Sequence, residues 1–315
     1  MPSSGAPSRP VSDRRMISAE SGSDLITTLR IAHPEWRPLL ALIEATLWEV
    51  ERPEWRDSVR SVPSPGAGPE PLLSRAVIVV ASRPIERWVR RVLVTAAAAG
   101  REAPFVDAAT ARRIDPRALL QAAVTLDEER LDGLSQTVGD THGVLAALAP
   151  LLAMPLLHAC RRAWAASVPA TWPHGYCPTC GAWPTLAEIR GLDGGRHLRC
   201  RRCGGDWVTE WLLCPFCGER DHAQLGSLVS AGRLERDKIE VCDCCHGYIK
   251  TTMTFAPIPP EQVVLQDLAT VVLDVAAVER GYRLPKSRGP VAGRIVAGRS
   301  GLRAFLSRAF EVGVV

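Results

Sequence analysis

Four Cys-x-x-Cys pairs stand within 69 residues of this 315-residue chain: Cys177 with Cys180, Cys200 with Cys203, Cys214 with Cys217, and Cys242 with Cys245. Two thiolates at this spacing can grip one metal ion from a tight turn, and two such turns complete a tetrahedral site. The gaps between successive pairs are 19, 10 and 24 residues. Joining neighbours gives one set whose inner gap of 19 fits a four-thiolate ribbon, and a second whose gap of 24 slightly exceeds the usual window. Joining first to third and second to fourth would need gaps of 33 and 38, so sequential pairing is the expectation. Gly181, Gly204 and Gly218 follow three of the pairs, and Pro178 and Pro215 stiffen two of the turns. A residue without a side chain at that place lets backbone amides point at the sulfurs. Closed four-thiolate sites are structural or electron-transfer sites rather than hydrolytic ones, because no position remains open to activate water. Tetrahedral sulfur suits zinc and iron alike, so the ligand type does not choose the metal.

Several neighbours bear on that chemistry. His174 and His197 each precede a pair by three residues and are alternative ligands, although four cysteines per site suffice. Cys244, within Cys242-Asp243-Cys244-Cys245-His246, is an inert turn residue, a substitute ligand or a redox-reactive thiol. Cys160 lies in an apolar run and reads as a small buried thiol. Trp164, Trp172, Trp183, Trp207 and Trp211 gather around the first pairs, either as packing or as stacking surfaces for a base or a partner peptide. Trp207 and Trp211 would share one face of a strand over 207–213.

The elements that must position these residues follow from composition and periodicity. A chain with 46% hydrophobic residues, and 38 Lys+Arg against 34 Asp+Glu, is globular and long enough for two domains. Residues 1–22, rich in Ser, Pro, Gly and Arg, read as disordered and lack the apolar core of a secretory signal. The thiols are therefore expected in a reducing compartment. Residues 23–171 read as an all-α domain without a catalytic constellation. Its first helix carries Trp36, Leu39, Leu40, Ile43, Leu47 and Val50 on one face, a second opens at Pro84, and a third at Asp115-Pro116. The uncharged stretch 143–160 approaches the lower limit for a membrane span, but Pro150, Pro155 and His158 favour a core helix. His33, His142 and His158 read as structural or solvent-facing.

Residues 172–255 change to short strands and form tandem metal modules, about 172–210 and 211–255. Residues 256–285 return to helix, with Val264, Leu268, Val271, Val275 and Val278 as the face that packs back and Gly281 as the stop. Residues 286–315 hold six Lys+Arg and one acid, and read as a separate basic tail. The expected class is α+β: an all-α N-terminal domain, two small zinc-ribbon-like modules and a C-terminal helix.

From Gly175 to Tyr282 the chain resembles the formate dehydrogenase accessory protein family, FdhE. The resemblance rests on Cys177-Pro178-Thr179-Cys180-Gly181, the Arg196-His197-Leu198-Arg199-Cys200 approach, Trp207, the third pair, and Glu240-Val241-Cys242 with Cys245. It continues through Gly247-Tyr248-Ile249-Lys250, Asp267-Leu268-Ala269, Leu273-Asp274 and Gly281-Tyr282-Arg283. It covers about a third of the chain, while Cys244 and the end after Tyr282 depart from the family pattern. It implies a cytoplasmic, non-catalytic assembly chaperone with two rubredoxin-like metal sites, iron in the family. Such a protein binds the catalytic subunit of formate dehydrogenase and is needed for its activity. Asp267 and Asp274, seven apart on the last helix and about 10 Å from each other along it, are candidate polar contacts for that partner.

Two other functions compete. A zinc-ribbon nucleic-acid binder should present a basic face, yet residues 172–255 hold ten Lys+Arg and ten Asp+Glu, and two loaded thiolate sites would make the module anionic. A redox-sensing electron carrier remains open if the metal is iron, whereas four pairs at ribbon spacing without a βαβ pattern argue against a thioredoxin-like site.

Overall fold

The computed structural model describes residues 22–59, 63, 68–99, 113–229, 236–287 and 289–298. Its N-terminal half is built from α1 (Gly22–Ala32), α2 (Arg37–Val50), α3 (Pro53–Ser58), β1 (Val77–Ala81), α4 (Ser82–Ala99), α5 (Pro116–Thr125), α6 (Glu128–Val138) and α7 (Val144–Ala163). The helix starts are written in local chemistry. Asp115 accepts from the Arg117 amide at 3.0 Å ahead of Pro116, and Asp127 accepts from the Arg130 amide at 3.1 Å. Asp140 accepts from the amides of His142, Val144 and Leu145 and from the Ser135 hydroxyl, which starts α7 and ties it to α6.

α7 is the axis of this half, buried without a break from Leu151 to Cys160 and packed by α2 to α6. It is long and apolar enough to cross a membrane, and 72% of its most apolar window lies inside the protein. That burial is what a core helix shows. Pro155 cannot donate to Leu151, and the next carbonyl, of Leu152, accepts the indole N–H of Trp88 at 3.0 Å.

The all-α expectation for this half needs one correction. β1 alternates buried Ile78 and Val80 with exposed Val77 and Val79, and it pairs in parallel with β8 (Arg294–Gly298). The same pairing corrects the reading of residues 286–315 as a separate tail, because its first part returns to the helical half. The Gln121 side chain of α5 clamps β8 from both sides, donating to Gly293 O at 2.9 Å and accepting from Ile295 N at 2.6 Å. Ile295 is buried with the helices. Residues 299–315, and residues 1–21 of the expected disordered start, lie outside the described residues, and Gly22 already opens α1.

The second half is one six-stranded sheet in the order β4-β3-β2-β7-β6-β5. β2 (Leu186–Arg190), β3 (Gly195–Arg199) and β4 (Asp206–Val208) form one antiparallel module, and β5 (Leu225–Leu228), β6 (Asp237–Cys242) and β7 (Tyr248–Thr254) form the next. The seam is parallel, β2 against β7, with Leu186 opposite Lys250 and Arg190 opposite Thr254. Arg196 of β3 crosses the seam to Glu240 of β6 at 2.9 Å and donates to the carbonyls of Glu210 and Leu213. Those carbonyls fold the chain around the buried guanidinium, so the strand expected over 207–213 ends at Val208. Trp207 is buried, whereas Trp211 lies exposed with Lys238 at 5.7 Å from its ring.

The expected C-terminal helix is two, α8 (Val263–Ala269) and α9 (Val271–Glu279), broken at Thr270; α9 buries Leu273 and Ala277, so Val275 and Val278, expected on the face that packs back, are exposed. The Thr270 hydroxyl donates to Gln266 O and Asp267 O, drawing the turn away from α geometry. Gly281 follows α9 at φ +89°, the left-handed conformation that ends a helix. The chain then returns to the fourth cysteine turn, where Arg283 N donates to His246 O at 2.8 Å, before passing Trp183 on its way to β8.

Candidate metal centres

The sheet brings the first cysteine pair to the second and the third to the fourth, so the sequential grouping is the one the fold makes. Cys177, Cys180, Cys200 and Cys203 form one set and Cys214, Cys217, Cys242 and Cys245 the other, with all donor atoms of a set within 4.8 Å of one another. Facing sulfurs are 3.5 Å apart for Cys177–Cys203, 3.6 Å for Cys180–Cys200, 3.6 Å for Cys214–Cys245 and 3.7 Å for Cys217–Cys242. A disulfide would need about 2.05 Å. A tetrahedral ion with sulfurs at about 2.3 Å separates them by about 3.8 Å, which these sets approach. Both donor sets therefore fit a metal ion, zinc or iron.

The four turns share one construction. The first cysteine of each pair donates its amide to a carbonyl five residues on: Cys177 to Ala182, Cys200 to Gly205, Cys214 to Glu219 and Cys242 to Gly247. The residue after the second cysteine takes positive φ, at Gly181, Gly204, Gly218 and, in the fourth turn, His246. Gly204 is also required by space, since a Cβ there would stand 2.5 Å from Pro260 Cβ and 3.0 Å from His158 Cε1. His158 is fully buried on α7 beneath this turn, and burial drives its pKa down to about 3, with Arg161 and Arg162 acting in the same direction. It is a neutral core histidine.

Protons move with the metal. Burial pushes the thiols of Cys177 and Cys214 well up, and that of Cys245 up to about 11. Hydrogen bonds from the other three sulfurs hold Cys200 low, and the Glu219 amide holds Cys217 low against its partial burial. Without metal each set keeps protons among its sulfurs, and loading releases them.

The alternative ligands are engaged elsewhere. His197 Nδ1 lies 2.8 Å from Asp206 and 2.9 Å from Arg190, and His174 stacks on Tyr176 at 5.1 Å. Trp164, Trp172 and Trp207 are buried, and Trp207 donates to His174 O, so the packing reading holds for these three. Cys160 is buried as expected, whereas Cys244 is exposed and outside both sets.

Asp267 and Asp274 lie on one side, as their spacing implied, and what they meet there is Lys250 of β7. The ammonium is 2.6 Å from Asp267 and 2.7 Å from Asp274; Arg201 adds a second contact to Asp267 and the Tyr248 hydroxyl one to Asp274. A second buried cluster, Glu188 with Arg199 and Arg190, and Arg190 with Asp206, lines the same sheet face. A helix-packing salt bridge was the alternative open to the two aspartates, but sequence reasoning missed Lys250 as their partner and missed the second cluster altogether. The signal was a charged or polar residue at every second position, Glu188 and Arg190 on β2 and His197 and Arg199 on β3, in stretches that the sequence reading did not assign to strands.

No family profile matches the chain. A protein named FdhE homolog from Aquifex aeolicus (strain VF5) is 32% identical over 117 residues, which is 35% of this chain and 40% of that protein. The FdhE homolog of Shewanella baltica (strain OS223) is 37% identical over 109 residues, 34% of this chain and 35% of that one. That of Haemophilus influenzae (strain PittEE) is 30% identical over 139 residues, 43% and 40% respectively. The chain resembles the FdhE family. The aligned stretch spans between 35% and 40% of the length of these FdhE homologs. A crystal structure of the FdhE protein from Pseudomonas aeruginosa covers 86% of this chain and 94% of its own at 20% identity, with a TM-score of 0.49.

Proposed function

We propose that this FdhE-like chain is a non-catalytic accessory protein for the maturation of formate dehydrogenase, acting in the cytoplasm by binding that enzyme's catalytic subunit. In this reading Cys177, Cys180, Cys200 and Cys203 hold one metal ion and Cys214, Cys217, Cys242 and Cys245 a second, iron in the cell. The observation that carries it is the pair of complete four-sulfur sets, at metal-like separations, in a chain similar to proteins named FdhE homolog. An ion in such a set supplies cohesion, on the order of 10 kcal/mol of folding free energy.

In the same reading the partner docks on what the fold leaves outside. Asp267 and Asp274 serve mainly to hold α8 and α9 on the sheet through Lys250. Beside them Val272, Val275 and Val278 of α9 stay exposed, an apolar stripe on the outward side that a client can cover. The nucleic-acid reading is weaker, because Arg190, Arg196, Arg199, Lys238 and Lys250 of the modules are each ion-paired to a carboxylate. Deleting the chain from a host that makes formate dehydrogenase should abolish formate oxidation while the catalytic subunit is still synthesised, and supplying the chain should restore it. Intact oxidation in the deletion would refute the proposal.

A further inference from the structure

The two cysteine modules are enclosed differently. The first shares one continuous core with the helical half, which grips its first turn: Leu72 N and Leu73 N donate to Pro178 O and Thr179 O at 2.9 Å. The second lies outside that core, where Leu273 and Ala277 of α9 cover the side of β6 that carries Ile239 and Val241. On the other side of β6, which carries Lys238 and Glu240, the segment from Trp211 to Phe216 lies over the sheet instead, and a pocket of about 200 Å³ remains between them.

Three observations coincide at this pocket. Its wall is mostly apolar, built among others by Leu213, Phe216, Val241 and Ile249, and its charged groups are already taken: Glu240 pairs with Arg196 at 2.9 Å and with Lys238 at 3.3 Å. At its rim Trp211 and Leu212, both large and apolar, are 51% and 52% exposed. The third observation is β5, which lines the pocket and stands last in the sheet, so that among the described residues no strand pairs with its outer edge. An unpaired edge presents a row of backbone N–H and C=O groups that an extended chain can satisfy.

We propose that β5 and this pocket form a peptide-docking site: an extended segment of another protein pairs with the free edge of β5 and places one large apolar side chain, aromatic or aliphatic, in the pocket. The size agrees, since a cavity of about 150 Å³ already takes a benzene ring. With Arg196, Lys238 and Glu240 engaged with one another, the pocket offers no free charge to orient a polar small molecule, whereas the strand edge sets direction and register through the main chain. A second copy of this chain does not meet the need, because its β5 reads Leu-Gly-Ser-Leu and its Leu225 already lines a pocket of its own. The inference fixes the chemistry of the docked segment and does not depend on formate dehydrogenase being the protein that carries it.

The test uses the full chain, reduced and loaded with Zn²⁺, against a phage-displayed library of random dodecapeptides. Enriched peptides should share one Phe, Leu or Trp, and a synthetic peptide with that motif should protect the amides of 225–228 from hydrogen exchange. Trp211→Ala opens the rim and Ser227→Phe fills the pocket from β5, so each should weaken the peptide by about tenfold while melting temperature and zinc content stay at the wild-type values. Val275→Lys, on the α9 side of the sheet, should leave binding unchanged. No enrichment, an apolar residue replaceable by Ser without loss, binding indifferent to Trp211→Ala, or protection away from β5 would overturn the proposal. Protection of the same amides on raising the protein concentration without peptide would overturn it in favour of pairing between two copies. None of these outcomes bears on the formate dehydrogenase reading, which the deletion tests separately.

Discussion

Removing one ligand from each centre should give opposite outcomes, although the substitutions are chemically identical. In Cys180→Ser the lost ion takes with it on the order of 10 kcal/mol, comparable with the whole stability of a domain. Its site is part of the core that includes Leu72, Leu73 and the α7 side chains, so the loss cannot be confined to the sheet. The serine also leaves a hydroxyl among three buried thiols, each short of a partner. Cys217→Ser removes a similar contribution from a module whose own cluster has five buried residues and is joined to the rest chiefly through the β2–β7 seam. Far-UV circular dichroism with limited proteolysis separates the two. Cys180→Ser should lose most of the helical signal and be degraded throughout. Cys217→Ser should keep a protected helical half whose melting midpoint moves by less than about 4 °C, with cleavage concentrated between β5 and α9. Equal effects of the two substitutions, or a collapse of the helices only in Cys217→Ser, would refute the reasoning.

Other consequences are as specific. Lys250→Met leaves Asp267 and Asp274 facing each other without their ammonium, and should cost about 3 kcal/mol in a denaturant midpoint measurement. Arg202→Met strips two carbonyls at the end of α5 of a charged donor, and should also lower stability by about 3 kcal/mol while metal content stays at the wild-type value. Asp140 is held below the usual carboxylate range: burial opposes this, but the amides of Leu145, Val144 and His142 outweigh it. Because its folded pKa is depressed, its contribution is complete above the unfolded pKa of about 3.9 and fades as the pH falls through the folded value. The stability difference between wild type and Asp140→Asn should therefore be largest near neutrality and shrink below about pH 4.

What was legible in the sequence was local. A metal turn is built from six consecutive residues, so Cys-Pro-Thr-Cys-Gly announces its own geometry, and Asp115-Pro116 announces a helix start. Long-range partnership was not legible. β1 and β8 find each other across more than two hundred residues, and the Arg-Ile-Val-Ala-Gly of β8 sits in a stretch that reads as a basic tail. The break at Thr270 depends on a hydroxyl competing with the helix ladder, which an apolar period running through it concealed. The aspartates seven apart were correctly placed on one side, but the lysine that claims them comes from a strand. The difference between the two centres was hidden for the same reason, since identical motifs acquire different burial only when the helical half closes over one of them.

The central claim is that this chain serves formate dehydrogenase, and capture of that enzyme tests it most directly. Affinity-tagged protein recovered anaerobically from cells making formate dehydrogenase, and quantified by mass spectrometry, should bring with it the catalytic subunit. The exposed valines of α9 should matter to that capture, so Val275→Lys should reduce it. A chain that carries two metal ions and retains its fold, yet captures no catalytic subunit, would contradict the account.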